Sequence, residues 1–336
     1  MAGNFVQLHN HTHYSLLDGA SKVPDLVKRV KELGMPAVGI TDHGNMHGAY
    51  ELWRAAVDSG VKPIIGIEAY VTPETARQDK TRVSWDTNWT PVPGHARNPD
   101  DVSGGGLITH LTMWAENDEG LVNLIKASSV ANLEGRVMRY PRMDKEVLST
   151  YSKGVIASSG CPSGIIQTRL RLGQFDEALR AAGEFQDIFG KDNFYIELMD
   201  HGLSIESKVT GDLLTIAKKL GAPLLATNDS HYVMEADKDA QDAMLCINSG
   251  ATLDDPNRFK FEGSGYYIKS AEEMRELFKD HPDACDNTLE IAERCNVIFD
   301  DHEDGAFMPQ FDCPEGWDET SLFLKKVEEG LELSLI

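Results

Sequence analysis

A chain of 336 residues with 41% hydrophobic side chains can bury a large core, either as one α/β barrel with extensions or as two domains. Acidic residues number 54 against 32 basic ones, a formal charge of −22, which argues against a simple DNA-binding module unless a local basic patch or bound cations reverse the field. The sequence has no apolar run of about 18 residues and no basic-then-apolar N-terminus, so neither a membrane span nor a secretory signal is expected.

The apolar run Phe5–Leu8 reads as a first strand. Alternate side chains of a strand share a face, so His9 and His11 project together, about 7 Å apart, and Asp18 lies in the turn that follows. Two imidazoles and a carboxylate at a strand end can share a divalent cation, and can equally be surface polar groups and turn chemistry. Leu26, Val27, Val30 and Leu33 then have helical spacing between Pro24 and Gly34. Ala37–Ile40 reads as a buried strand ending in Thr41-Asp42-His43-Gly44, and a helix over Gly48–Val57 leads to a strand over Pro63–Tyr70 that contains Glu68.

Residues 72–106 break this rhythm with Pro, Gly, Asp and Asn around Lys80, Arg82, Trp85, Trp89, His95 and Arg97; loops this long are usually functional or disordered. The pattern resumes with a strand over Leu107–Trp114 containing His110, a helix over Glu119–Val130, a helical segment over Met143–Tyr151, and a strand over Val155–Ser158 before the turn Gly160-Cys161-Pro162-Ser163-Gly164. A helix over Phe175–Phe189, a strand over Phe194–Leu198, a helix over Ile205–Leu220 and a strand over Leu224–Thr227 follow, the last ending in Asn228-Asp229-Ser230-His231. About seven β/α units result, the signature of a parallel sheet. After His231 the alternation stops, and residues 235–300 read as helical around an aromatic insert at Phe259-Lys260-Phe261 and Tyr266-Tyr267-Ile268. Leu322, Leu324, Val327 and Leu331 run helically toward Ile336 without a cap, so the chain is expected to continue. The expected domains are 1–235 and a mainly helical extension, 236–336.

Metal-ligating types recur at the strand ends: His9, His11, His43, Glu68, His110, Cys161, Asp229 and His231, with Asp18 nearby. In a parallel barrel all strand C-termini open on one face, so residues far apart in sequence converge. Alone, His110 fits a core or surface role and Cys161 an inert thiol; the repetition along the chain carries the metal reading. Asp18, Glu68, Asp229 and an ionised Cys161 crowd four negative charges, which only cations make tolerable. Nine ligands suffice for three ions if one bridges, and mixed imidazole, carboxylate and thiolate suits zinc, with manganese and iron also compatible. The five cysteines (Cys161, Cys246, Cys285, Cys295, Cys313) lack Cys-x-x-Cys spacing, which points to a reducing cytoplasm.

His9-x-His11 with Asp18, Thr41-Asp42-His43-Gly44, Glu68 after an apolar strand, His110 and Asn228-Asp229-Ser230-His231 resemble the motifs of the polymerase and histidinol phosphatase (PHP) family. The stretches Tyr14–Gly19, Ser159–Gly164, Glu197–Gly202 and Asp255–Phe261 look like the N-terminal region of that family's bacterial DNA polymerase III alpha-subunit branch, nearly end to end and actinobacterial in detail. His13 stands where many relatives carry an acidic residue. The resemblance implies a distorted (β/α)7 barrel with three metal ions. One ion would take His9, His11, Glu68 and Asp229, a second Glu68, His110 and Cys161, and the third Asp18, His43 and His231.

The resemblance further implies 3′–5′ exonuclease proofreading, with Glu68, Asp18 and Asp229 serving catalysis through the metals, inside a parent DNA-directed DNA polymerase, a nucleotidyltransferase whose own catalytic aspartates lie beyond Ile336. Implied partners are a DNA primer 3′ end, the rest of the alpha chain, the sliding clamp and other replisome subunits, with no membrane. Asp42 and Asn228 are candidates to orient imidazoles and equally to form turns, and Arg97, Arg169 and His201 to contact phosphate or to be solvated or ion-paired. Two other functions fit: a catalytically silent metal-binding structural module, and a stand-alone phosphomonoesterase of the histidinol phosphatase type, against which the long segment after His231 counts.

Overall fold

The computed structural model describes residues 4–16, 18–85, 105–263, 265–299 and 311–334. Its strands are β1 (Ala37–Ile40), β2 (Lys62–Val71), β3 (Thr109–Ala115), β4 (Arg136–Val137), β5 (Tyr140–Met143), β6 (Val155–Ser158), β7 (Phe194–Leu198) and β8 (Leu224–Ala226). The helices are α1 (Val23–Glu32), α2 (Ala49–Ser59), α3 (Asp118–Glu134), α4 (Lys145–Thr150), α5 (Ile165–Arg171), α6 (Phe175–Phe189), α7 (Ser204–Leu220), α8 (Lys238–Ser249), α9 (Ala271–Leu277), α10 (Pro282–Arg294) and α11 (Glu319–Ser334). This is the expected α/β alternation. Strands β1, β6 and β7 are buried at every residue, because helices and neighbouring segments leave neither face to water.

All eight strands belong to one sheet, in the order β4-β5-β2-β3-β6-β7-β8, with β1 on β2. Pairings β1/β2, β2/β5, β6/β7 and β7/β8 are parallel, whereas β2/β3, β3/β6 and β4/β5 are antiparallel. The all-parallel expectation is therefore corrected at β3, which runs against both of its neighbours. The segment Phe5–Leu8 is also not a ladder strand. Isolated parallel bridges tie Gln7 to Val38 on one side and Asn10 to Ser230 on the other, so the ends of the sheet meet through the N-terminal segment rather than through a continuous barrel ladder. Gly39 is needed for this approach, since a Cβ there would lie 2.7 Å from the Leu8 carbonyl oxygen.

Two further elements escape sequence periodicity. The hairpin β4/β5 lies in the stretch between Val130 and Met143 to which periodicity assigns no element, just ahead of α4, and α5 follows the Cys161 turn directly. Residues through Ile298 form one compact unit, and Phe299 onward a second, whose described part is α11 with its leading turn. The residues 236–298, read from sequence as part of an extension, thus pack within the first unit. There Thr288 of α10 accepts from the Val6 backbone N–H at 3.1 Å, and Ile291 lies in the core with Val6, Leu8 and Trp114. Among the described residues no helix is long and apolar enough to cross a membrane.

Candidate metal centre

Each end of the sheet's pairing pattern delivers a polar side chain to one place. The backbone beyond β1 stays beside β2 through a bridge between His43 and Glu68, with Gly44 N–H donating to the Glu68 carbonyl at 2.8 Å. His110 is the second residue of β3 and pairs with Tyr70 across the antiparallel ladder. It reaches the site from a strand's beginning, which corrects the expectation that every candidate ligand sits at a strand's C-terminal end. A bridge from His110 to Gly164 brings the Cys161 turn alongside. The N-terminal segment adds His9 and His11, and the chain after β8 adds Asp229 and His231, joined by His11 N–H donating to the Ser230 carbonyl at 2.8 Å.

Contacts link all nine candidates. Glu68 is central and 1% exposed. Its Oε1 lies 3.2 Å from His110 Nδ1 and 3.5 Å from His9 Nε2; its Oε2 lies 2.6 Å from His43 Nδ1 and 3.5 Å from His11 Nε2. Asp229 Oδ1 stands 3.3 Å from His9 Nε2 and 3.1 Å from His11 Nε2. Asp18 Oδ2 is 3.0 Å from His43 Nε2, His231 stacks on His11 with ring centroids 4.3 Å apart, and Cys161 Sγ is 3.4 Å from His110 Nδ1. Asp229 holds a left-handed φ of 44°, a strained conformation for a residue with a Cβ, and its own carbonyl accepts from His231 Nδ1 at 2.8 Å, leaving Nε2 to face the cluster.

The charges in this pocket are strongly interdependent. Burial opposes ionisation of His43, but Asp18, Tyr70 and Glu68 outweigh it and hold the imidazole well above its usual value; burial of His9 is likewise overcome by Asp229 and Glu197. Burial and the neighbouring His43 and His231 push His11 down to about 3. Burial would raise Glu68 and Asp229, yet the surrounding histidines pull both carboxyls well below the carboxylate range. Burial, reinforced by Glu68 and Asp229, pushes the Cys161 thiol well up.

Eight buried atoms in the cluster crowd one another at 2.6–3.5 Å or more yet make no hydrogen bond of proper angle among the described residues: Nε2 of His9, His11 and His231, Nδ1 of His43, both Glu68 carboxylate oxygens, and Oδ1 of Asp18 and Asp229. Unsatisfied buried polar atoms are costly and rare, and here they face one another. They form three overlapping sets whose ligand atoms lie within 4.8 Å: His11, Asp18, His43 and His231; His9, His11 and Asp229; His43, Glu68 and His110. Imidazole nitrogens and carboxylate oxygens spaced this way fit divalent cations.

The residues behind the cluster differ from the sequence expectation. Asp42 touches no imidazole. It accepts from Thr12 N–H and Ser15 Oγ, each at 2.7 Å, and Ser15 Oγ in turn lies 2.9 Å from His11 Nδ1, so Asp42 acts at one remove. The Asn228 side chain hydrogen-bonds to none of the candidate-ligand imidazoles either. Its amide donates to the Gly265 and Tyr267 carbonyls at 2.9 and 2.8 Å, and its oxygen accepts from Lys269 Nζ at 2.6 Å, pinning the 265–269 segment. His201 is not free for phosphate, since Nδ1 meets Glu206 at 2.6 Å and Nε2 the Asn228 carbonyl at 2.9 Å. Arg169 is bound to Glu74 at 2.9 Å and lies over the Trp85 ring. Arg97 lies outside the described residues.

Glu197 is the residue that motif reading left without a role. Fully buried on β7, it accepts from His9 Nδ1 at 2.7 Å, from Thr227 Oγ1 at 2.6 Å and from Ser158 Oγ. The available signal was a carboxylate inside the apolar run Phe194–Leu198.

Fold and site together define an α/β protein whose buried histidines and carboxylates are fitted to metal ions. The sequence matches the PHP domain family over residues 7–201, more than half of its length, and the chain belongs to that family. It is similar to DNA polymerase III subunit alpha of Mycobacterium leprae, with 51% identity over 98% of this chain and 27% of that protein. The protein of the same name from Saccharopolyspora erythraea is 51% identical over 97% of this chain and 27% of its own length, and that of Borreliella burgdorferi 39% identical over 98% and 27%. The chain spans about a quarter of the length of these relatives. The higher identities fall among actinobacteria, as the motif details lead one to expect.

Proposed function

We propose that this chain is the metal-dependent phosphodiesterase part of a replicative DNA polymerase alpha chain and removes nucleotides from DNA 3′ ends, a 3′–5′ exonuclease that proofreads. The eight buried atoms without a hydrogen bond of proper angle carry the reading, because a purely structural core has no reason to leave them so. The names of the relatives supply the polymerase context. Three ions, zinc by ligand type, would be held by His9, His11, Glu68 and Asp229; by Glu68, His110 and Cys161; and by Asp18, His43 and His231. The split of Glu68, with Oε1 toward His9 and His110 and Oε2 toward His11 and His43, supports a bridging role. Bound divalent ions supply Lewis-acid activation of the phosphodiester and of the attacking water.

The chain's own residues preset the ligands. Glu197 holds the His9 Nδ1–H so that Nε2 faces the centre, Ser15 does the same for His11, and the Asp229 carbonyl for His231. Partners that follow from this reading are a primer 3′ end, the remainder of the polymerase chain, the sliding clamp and other replisome subunits. Metal analysis of the purified chain, followed by digestion of a 3′-mismatched primer and of a phosphomonoester, tests it. Primer shortening lost in Asp18→Asn and His11→Ala is expected. Metal-loaded protein that attacks neither substrate would leave a structural module, and attack on the monoester alone would make it a phosphomonoesterase.

A further inference from the structure

Beside the cluster lies a cavity of about 430 Å³ that the proposed chemistry does not use, lined among others by Tyr232, Gln241, Lys238, Arg258, Lys260 and Phe261. It adjoins the ligands directly. Gln241 donates to the Asp18 backbone carbonyl at 3.1 Å, Tyr232 follows His231 in the chain, and the Phe261 ring stands edge-to-face on His231 at 4.7 Å. From there an aromatic row runs outward: Phe261 touches Tyr266 at 4.8 Å and meets Phe259 edge-on at 5.9 Å, and Phe259 is 61% exposed. Phe261 is half-buried against the cluster and Phe259 exposed, so the row leads from the metal-fitted centre to solvent as one contiguous aromatic patch.

The charges of the cavity bear on what it takes. Arg258 is tied to both oxygens of Asp242, and Asp239 and Glu262 also line the space. Half-buried Lys238 and exposed Lys260 have no carboxylate partner within ion-pair distance among the described residues, so two ammonium groups flank an aromatic row in a chain whose formal charge is −22. Aromatic faces receive bases of any sequence, and lysines beside them take phosphates without demanding a fixed geometry.

We propose that Phe261 and Phe259, with Lys238 and Lys260, form the guide for a single-stranded nucleic acid whose end lies at the metal centre. Unpaired bases stack along the two rings and the backbone phosphates pass the lysines. This rests on the phosphodiesterase reading for where the strand ends, but its stacking platform stands on geometry alone. Because two lysines face two carboxylates, stacking carries the affinity, and binding tolerates salt better than a phosphate-driven interface does.

The test is fluorescence anisotropy of the full chain with a labelled oligothymidylate whose 3′-terminal linkages are phosphorothioates, which slows cleavage during the measurement. Phe259→Ala removes an exposed ring and is expected to weaken binding about fivefold or more, and Phe261→Leu, which keeps apolar bulk, by a similar factor. Metal content of Phe259→Ala, equal to that of the wild type, reports intact folding. Affinity unchanged within about twofold in both variants, or a wild type that binds no oligonucleotide, overturns the proposal. A wild type that binds through both rings yet cuts no phosphodiester keeps the guide and removes the catalytic reading. A wild type that cuts, with affinity indifferent to both rings, does the reverse.

Discussion

Replacing Glu197 by Gln isolates how the second layer of side chains sets metal affinity. The carboxylate is fully buried and accepts three hydrogen bonds, from His9 Nδ1, Thr227 Oγ1 and Ser158 Oγ. Glutamine has the same shape, keeps one acceptor for His9, and can meet the Ser158 hydroxyl with its amide, so the fold should hold. What changes is the bond to His9: a charge-assisted hydrogen bond becomes a neutral one of roughly half the strength, and the imidazole becomes a poorer ligand. Removing such outer-shell partners typically costs 10–100-fold in metal affinity. With the acceptor geometry retained, Glu197→Gln should lie near the low end, about tenfold or about 1.4 kcal/mol. Glu197→Ala, which also strands Ser158 and Thr227, should reach about 100-fold and lower stability by about 2 kcal/mol or more. Competition against a chromogenic chelator measures the affinity, and thermal unfolding of the metal-free protein checks the fold. A Glu197→Gln affinity within about twofold of the wild type would refute the positioning role.

Arg142 is fully buried and donates to four carbonyls, of Arg77 and Asp79 at 2.7 Å each, of Gly135 at 3.3 Å and of Leu107 at 3.4 Å, stapling both described ends of the 72–106 segment. Counting the two short charge-assisted bonds, Arg142→Met should destabilise by about 3 kcal/mol, a melting temperature lower by roughly 6–12 °C in calorimetry. Gly120→Ala places a Cβ 1.7 Å from the Gly154 carbonyl oxygen, so α3 must move; a loss of about 3 kcal/mol in denaturant unfolding is expected, against a gain of about 0.5–1 kcal/mol at Gly211, which sits inside α7 with open space around it. In metal-free protein the raised His9 and His43 stabilise the fold fully below the ordinary imidazole value near 6.5, and this contribution disappears as pH rises through their elevated folded values. The depressed Glu68 and Asp229 act oppositely, stabilising above the ordinary carboxylate range and losing that contribution as pH falls through their lowered values. Metal-free unfolding should therefore show greatest stability in mildly acidic solution, and metal should bind more tightly as pH rises, since His9 and His43 must release protons. A stability maximum unmoved by metal would contradict this.

The ligand chemistry of this chain was legible because it is local. His9 and His11, the tetrad Thr41–Gly44, Glu68 in an apolar strand and Asn228–His231 each announce a metal-binding type within a few residues, and apolar runs such as Ala37–Ile40, Val155–Ser158 and Phe194–Leu198 fix their strands. The alternation of those runs with helices was enough for the α/β class. What the tertiary structure alone decided depends on partners distant in the chain. Strand direction is one case: β3 reads the same in either direction, and only pairing with β2 and β6 makes it antiparallel and lets His110 enter from its start. Roles behind the ligands are another. Glu197, Asp42, Asn228 and His201 are all polar residues within the matching stretches, and only the fold shows that the first grips His9 while the others hold Ser15, the 265–269 segment and Glu206. Residue types determine which ions a site can hold, since donor chemistry is intrinsic to the side chain. Which atoms face into the cluster, and which groups hold those side chains still, is settled by contacts between segments that sequence order does not bring together.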